Sequence, residues 1–385
     1  MTRIRLRDAG LAVGELPTGP LNAITDVPGV RVGHTTLIRG GGALLPGEGP
    51  VRTGVTVILP HEDDPFRHKV RAAVHTINGF GKAHGFEQVR ELGVLESPVA
   101  LTNTLNVGLV VDALVQHAVR HNPGIGIHTS TANVVVGETH DGYLNDLQGR
   151  HVRAEHVWAA IEGAAPGPVA EGVVGAGTGT TCFGWKGGIG TASRQVPEAA
   201  GRYLVGALVQ SNFGRARDLT ICGFPAGRTL RPPLAPEAEA DLEDDSAEAQ
   251  GGSVMIVLAT DAPLTCRQLG RLCVRAAAGL ARCGSVYGHG SGDFVIAFST
   301  AHRLPHEPPS LTAPYALLVD EGRAMDALFA GVAESVEEAV LNSLFAAKTV
   351  IGRDGHVRHA LPVDQVVALL RDRFSLPVEG EMNGL

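Results

Sequence analysis

The sequence predicts an α+β protein in which helices cover stacked β-sheets. Two observations carry this expectation. Ser253–Ala259 and Asp293–Ser299 are near-continuous apolar runs, the pattern of strands buried on both faces. Helical stripes flank them, so cover exists for those faces. The 385 residues are 44% hydrophobic, ample for a large core, and no repeat recurs at a fixed period.

The elements follow in chain order. Residues 53–59 (TGVTVIL) and 98–102 (PVALT) read as strands. Residues 106–121 read as a helix with Thr104 or Asn106 as its cap. Glycine-rich apolar segments occupy 169–182 and 187–194, and YLVGALV (203–209) is a further strand. The composition then changes abruptly. Residues 235–250 hold seven acidic groups and no basic one, with too little apolar surface to order themselves, and read as a solvated loop or linker. The strand at 253–259 follows. Asp261-Ala-Pro263 supplies a helix cap and an early proline. The next helix aligns Leu269, Leu272, Cys273, Ala276 and Leu280 on one stripe. Helical patterns return at about 321–346 and 363–373.

Composition excludes several classes. A net charge of −8 and 4% aromatic residues argue against a nucleic-acid surface, which needs clustered cations or stacking platforms. No stretch has membrane-spanning length without polar residues, and the N-terminus lacks a signal-type apolar segment. The five cysteines form no C-x-x-C pair and read as reduced thiols, so the expected location is the cytoplasm. There is no phosphate loop and no H-E-x-x-H zinc helix, and the sixteen histidines show no ligand spacing, so no metal or cofactor is expected. Gly175-Ala-Gly177-Thr-Gly179 resembles a dinucleotide fingerprint with its last glycine displaced, and reads instead as a turn in a glycine-rich sheet.

The informative place is Gln250-Gly251-Gly252-Ser253, where an acidic loop meets a buried strand. A serine there is placed to attack the carbonyl of Gly252, and glycine tolerates the geometry this needs. Acyl shift and hydrolysis would leave Ser253 with a free α-amine. Its reference pKa of about 7.7–8.0 suits a base beside the hydroxyl. The alternative is a serine that merely begins a strand.

An ordered series of segments extends the argument: ITDVPGVRVGHTT (24–36), VRTGVTVILP (51–60), INGFGKAHG (77–85), LTNTLNVG (101–108), VVGETHDGYLND (135–146), VGAGTGTTCFGWKGGIGTASR (174–194), VQSNFG (209–214), GGSVMIVLATDAPL (251–264) and GSGDFVIAFSTA (290–301). Together they resemble the L-aminopeptidase/D-esterase family, which includes the β-peptidyl aminopeptidases, over roughly residues 20–305. The resemblance implies a four-layer αββα sandwich, like that of ornithine acetyltransferases. It also implies a single domain, 1–385, cleaved into 1–252 and 253–385 with 235–252 as the processing loop, and assembly into a homotetramer or other homo-oligomer. Ser253 matches the nucleophile. Ser291 and Asp293 match the pair that orients and helps activate it, Asn212 the oxyanion donor, and Glu138 and Tyr143 residues lining the substrate site. Glu138 would pair with a substrate's free ammonium, which explains restriction to N-terminal residues.

Asp293 stands where some relatives carry Glu. Serine as nucleophile points to the aminopeptidase branch, since the relatives acting on nylon oligomers and the ornithine acetyltransferases use threonine. The expected activity is removal of N-terminal residues from short peptides, amino-acid amides or esters through an acyl-enzyme. The alternatives are an acyltransferase on the same fold and a non-catalytic, unprocessed binding protein.

Overall fold

A computed structural model describes residues 4–233, 252–320 and 322–374. The acidic segment 235–250 lies outside the described residues. The strands are β1 (Arg31–Arg39), β2 (Val51–Leu59), β3 (His68–Gly79), β4 (Ala83–His84), β5 (Val94–Leu95), β6 (Val99–Asn103), β7 (Val135–Thr139), β8 (Thr181–Cys182), β9 (Trp185–Lys186), β10 (Gly188–Gln195), β11 (Leu204–Asn212), β12 (Gly252–Thr260), β13 (Ser291–Pro305), β14 (Val350–Ile351) and β15 (Val357–Arg358). The α-helices are α1 (Phe86–Leu92), α2 (Val107–His121), α3 (Ala154–Glu162), α4 (Cys266–Arg282), α5 (Gly322–Phe345) and α6 (Val363–Phe374).

Two sheets form the centre. One has five strands in the order β1-β2-β6-β7-β4, the other six in the order β10-β11-β12-β13-β3-β5. Residue parity along β12 shows how they stack. Met255, Val257 and Ala259 face Ile58, Val99, Leu101 and Val135 of the first sheet. Val254, Ile256 and Leu258 face the other way, into a core shared with Leu269 and Leu272 of α4 and Val336 and Val340 of α5. The outer face of the first sheet packs Val55, Val57 and Val136 against Val110 and Leu114 of α2 and Val157 of α3. The order of layers is therefore helix, sheet, sheet, helix, the four-layer sandwich expected. A strand with helices on one side and a second sheet on the other needs apolar residues at every position, which is why β12 reads as an unbroken run.

Glycines allow the close approaches between layers. A Cβ on Gly190 of β10 would stand 1.9 Å from the carbonyl oxygen of Ala339, so α5 lies directly on the backbone there. The turn at Gly175–Gly177 packs in the same way, a Cβ on Gly177 lying 2.4 Å from the Ile189 nitrogen. It is a turn wedged against sheet strands, as the displaced glycine pattern suggested.

Two helix caps differ from expectation. Asn106 holds the N-cap position of α2 as expected, but its side chain makes no capping bond and donates to the Val152 carbonyl, while the turn before it is capped by the Asn103 side chain, which accepts from the Asn106 N–H. Thr104 Oγ1 is instead committed to Glu138. Asp261 does not cap α4, because its carboxylate accepts from the Leu204 N–H across the strand ends. Thr265 caps α4 in a reciprocal box with Gln268. All five residues of the expected α4 stripe are buried.

Candidate active site

Ser253 is the second residue of β12, between β11 and β13. Its Cα partners are Asn212 on the antiparallel side and Gly292 on the parallel side. It shares the parity of Met255 and Val257, so its side chain enters the space between the two sheets and is 3% exposed. Two N–H donors converge on its Oγ. Asn212 Nδ2 donates from the neighbouring strand at 3.1 Å. The backbone N–H of His140, just past β7 of the opposite sheet, donates at 3.0 Å. One donor from each sheet thus meets the same oxygen.

The amide orientation of Asn212 is fixed by its other end, because Oδ1 accepts from the Thr181 N–H at 2.9 Å. That leaves Nδ2, the donor end, for Ser253.

Ser291 and Asp293 form the second part of the site. Ser291 Oγ donates to Asp293 Oδ1 at 2.5 Å, and both residues are buried. Burial pushes the Asp293 carboxyl up to about 6, partly opposed by the Ser291 hydrogen bond. Among the described residues Asp293 Oδ2 has no hydrogen-bond partner. The Ser291 hydroxyl stands beside Gly252, where a Cβ would lie 3.0 Å from it. Gly252 and Ser291 also line one cleft with Phe213 and Tyr287. The pair therefore sits against the residue preceding Ser253, next to the Gly252–Ser253 bond, while Asn212 and His140 hold the Oγ.

Glu138, the fourth residue of β7, is 3% exposed. Its Oε1 accepts from the Lys82 N–H at 3.1 Å, and its Oε2 accepts from Thr104 Oγ1 at 2.5 Å. Burial raises its pKa above the ordinary carboxylate range, against the pull of both hydrogen bonds. Each oxygen retains capacity for a further donor, so a buried carboxylate here suits a cationic group. Tyr143 follows three residues after His140. Its ring stacks on His356 at 4.5 Å, with the Arg358 guanidinium 3.4 Å from its centroid, and it packs on Leu144, Val173, Ala347 and Val350. The described structure gives it no hydrogen bond to Ser253 or Glu138.

Several members of the site carry no sequence signal. The His140 and Thr181 donors are backbone groups, and any residue but proline would supply them. Asp141 is fully buried beside His140, accepting from Thr53 Oγ1 at 2.6 Å and Asn145 Nδ2 at 3.0 Å, and burial raises its pKa to about 7. It anchors the turn that presents the His140 N–H. The GETHDG segment was legible as a site motif, but Glu138 alone in it read as functional.

Comparison with known proteins places this geometry. The profile of peptidase family S58 matches residues 22–358. The β-peptidyl aminopeptidase of Sphingosinicella xenopeptidilytica is 43% identical over 373 residues, covering 96% of this chain and 92% of its own. Among solved structures, a Burkholderia β-aminopeptidase superimposes with a TM-score of 0.87 at 41% identity, covering 97% of this chain and 100% of its own. The L-aminopeptidase D-Ala-esterase/amidase of Ochrobactrum anthropi, described as a prototype of the serine aminopeptidases and a variant of the Ntn-hydrolase fold, superimposes with a TM-score of 0.86. It is 38% identical, covering 96% of this chain and 98% of its own.

Proposed function

Because the chain belongs to peptidase family S58, we propose that it is a self-processing serine aminopeptidase and amidase with Ser253 as nucleophile. The observation that carries this reading is the convergence of Asn212 Nδ2 and the His140 N–H on Ser253 Oγ.

In this reading Ser253 Oγ first attacks the carbonyl of Gly252, the Gly252 C–N bond breaks to free the Ser253 α-amine and leave an ester, and water then hydrolyses that ester to release the Gly252 carboxylate and the Ser253 hydroxyl. Segments 1–252 and 253–385 then remain together through the pairing of β12 with β11 and of β13 with β3. The freed amine takes the proton of the Ser253 hydroxyl as it attacks a substrate carbonyl. The Ser291–Asp293 pair, next to that amine, orients it and stabilises its protonated form. As the tetrahedral intermediate forms, the negative charge develops on the substrate's former carbonyl oxygen beside Oγ, and Asn212 Nδ2 and the His140 N–H, which meet at Oγ in the free protein, donate to it. Preorganised donors of this kind contribute about 2.7–4 kcal/mol each. The protonated amine passes its proton to the leaving nitrogen, and water releases the acyl group. Glu138 holds the substrate's free ammonium, so chains are trimmed from the N-terminus. The β-peptidyl and L-aminopeptidase relatives point to short peptides and amino-acid amides as substrates. We assign Tyr143 to the rim of the substrate site, place the enzyme in the cytoplasm, and expect a homo-oligomer. Among the described residues no helix is long and apolar enough to cross a membrane.

Release of amine from L-amino-acid and β-amino-acid p-nitroanilides tests the function. Wild type should hydrolyse at least one class, and Ser253→Ala neither. Activity retained in Ser253→Ala overturns the nucleophile assignment. An added amine acceptor that diverts most of the acyl group from water would favour the acyltransferase alternative.

A further inference from the structure

Lys186 is the last residue of β9 and is completely buried. Its ammonium donates to three carbonyl oxygens, Gly177 at 2.9 Å, Thr180 at 2.8 Å and Gly187 at 2.7 Å. An ammonium has three donors, so every one is used and the loop 177–187 is tied to a single point. The middle acceptor matters most. The Thr180 carbonyl and the Thr181 N–H belong to one planar peptide group. Lys186 grips the carbonyl end, and the N–H end donates to Asn212 Oδ1 at 2.9 Å. A cation on the carbonyl polarises the group and strengthens its N–H as a donor. That N–H decides which end of the Asn212 amide faces Ser253. Were the peptide turned over, its carbonyl would face Asn212, draw Nδ2 to itself, and leave Oδ1 against Ser253 Oγ, where it would repel developing negative charge.

The loop is braced from other sides as well. A Cβ on Gly179 would lie 2.1 Å from the Arg52 carbonyl oxygen and 2.9 Å from the Asp141 Cβ. Arg358 Nε donates to Thr181 Oγ1 at 3.1 Å, and the Lys186 N–H to the His359 carbonyl. A buried cation is costly, and an apolar residue would pack this hairpin without that cost. Burial pulls the Lys186 pKa down to about 7.

We propose that Lys186 is a positioning residue for catalysis: through the Thr180–Thr181 peptide it sets the amide of Asn212 with its donor end toward Ser253. This rests on the assignment of Ser253 and Asn212 above.

The test is a double-mutant cycle. Lys186→Met removes all three donors at similar length, and Lys186→Gln keeps two donors without charge. Either variant should fold, lower kcat about ten- to hundredfold and leave KM within about twofold, because the lost group acts in the transition state. Placed on Asn212→Ala, the same change should cost nothing further. A folded Lys186 variant that keeps its kcat, that raises KM alone, or that loses kcat equally in the Asn212→Ala background overturns the proposal. If Ser253→Ala retains activity, the underlying assignment fails instead, so the two failures are distinguishable. Should neither variant fold, a crystal structure of the wild-type protein carries the test: the Thr180 carbonyl should point to Lys186 Nζ with the Thr181 N–H on Asn212, and a Thr180–Thr181 peptide turned the other way overturns the proposal.

Discussion

Asn212 and Ser253 are cross-strand partners on β11 and β12, and the amide nitrogen of one lies 3.1 Å from the hydroxyl oxygen of the other. The register of two antiparallel strands therefore sets the distance between donor and nucleophile. Both side chains face between the sheets, where the His140 N–H completes the set from the opposite sheet.

Asn212→Ala removes one of two donors. We predict a fall in kcat of about 10²–10³ with KM nearly unchanged. Asn212→Asp keeps an acceptor for the Thr181 N–H but turns an anionic oxygen toward Ser253, so it should be at least as damaging. Steady-state kinetics on one amide substrate, with circular dichroism to show an intact fold, checks both.

Glu138→Gln keeps the shape of the carboxylate but loses its charge. A charge-assisted hydrogen bond contributes about 1.5–3 kcal/mol, so kcat/KM for substrates with a free amine should drop roughly ten- to hundredfold. Wild type should also discriminate strongly against N-acetylated versions of the same substrates. Equal rates on free and acetylated substrates would remove Glu138 from ammonium recognition.

The pKa of Asp293, raised to about 6 by burial, gives an acid limb to activity. Protonation of Asp293 takes away the anionic partner of Ser291, so kcat/KM should decline as pH falls through about 6, and Asp293→Asn should abolish that limb. The sign for stability is opposite. The folded pKa exceeds the unfolded reference of about 3.9, so the folded state binds the proton first. Stability contributed by this group therefore rises as pH falls from about 6 toward 4. Asp141 and Glu171, both raised to about 7 by burial, act in the same direction from pH 7 downward. Activity lost at pH 5 in a protein that still melts cooperatively would match this expectation.

Gly190→Ala tests the packing of the layers. Its Cβ would lie 1.9 Å from the Ala339 carbonyl oxygen, which forces α5 away from β10. Overpacking of this kind costs about 3 kcal/mol. Urea unfolding should show the loss at unchanged m, whereas Gly108→Ala, which meets nothing within 4 Å, should be neutral or stabilising.

Much of the fold was legible because burial writes itself into β12 and β13. Strands covered on both faces must be apolar throughout, and the α4 stripe follows from having one buried face. The contrast between an acidic loop and a buried strand drew attention to Ser253, and it was the ordered motifs that gave it, Asn212, Ser291, Asp293 and Glu138 the roles proposed here. What escaped was supplied by backbone or by local competition. The N–H of His140 is common to nearly all residue types. Lys186 reads as an ordinary surface lysine in a glycine-rich hairpin until three carbonyls are seen around it. Asp261 resembles a cap in isolation, and only the fold shows that Leu204 claims it while Thr265 and Gln268 form the box.

Self-cleavage between Gly252 and Ser253 is the central claim, and intact-mass spectrometry under denaturing conditions tests it most directly. Freshly purified wild type of 40.1 kDa should give two species, of roughly 26 and 14 kDa by proportion of chain length, while Ser253→Ala remains whole. A wild-type chain that stays intact over days and is inactive on amino-acid amides would contradict the assignment of Ser253 as an N-terminal nucleophile.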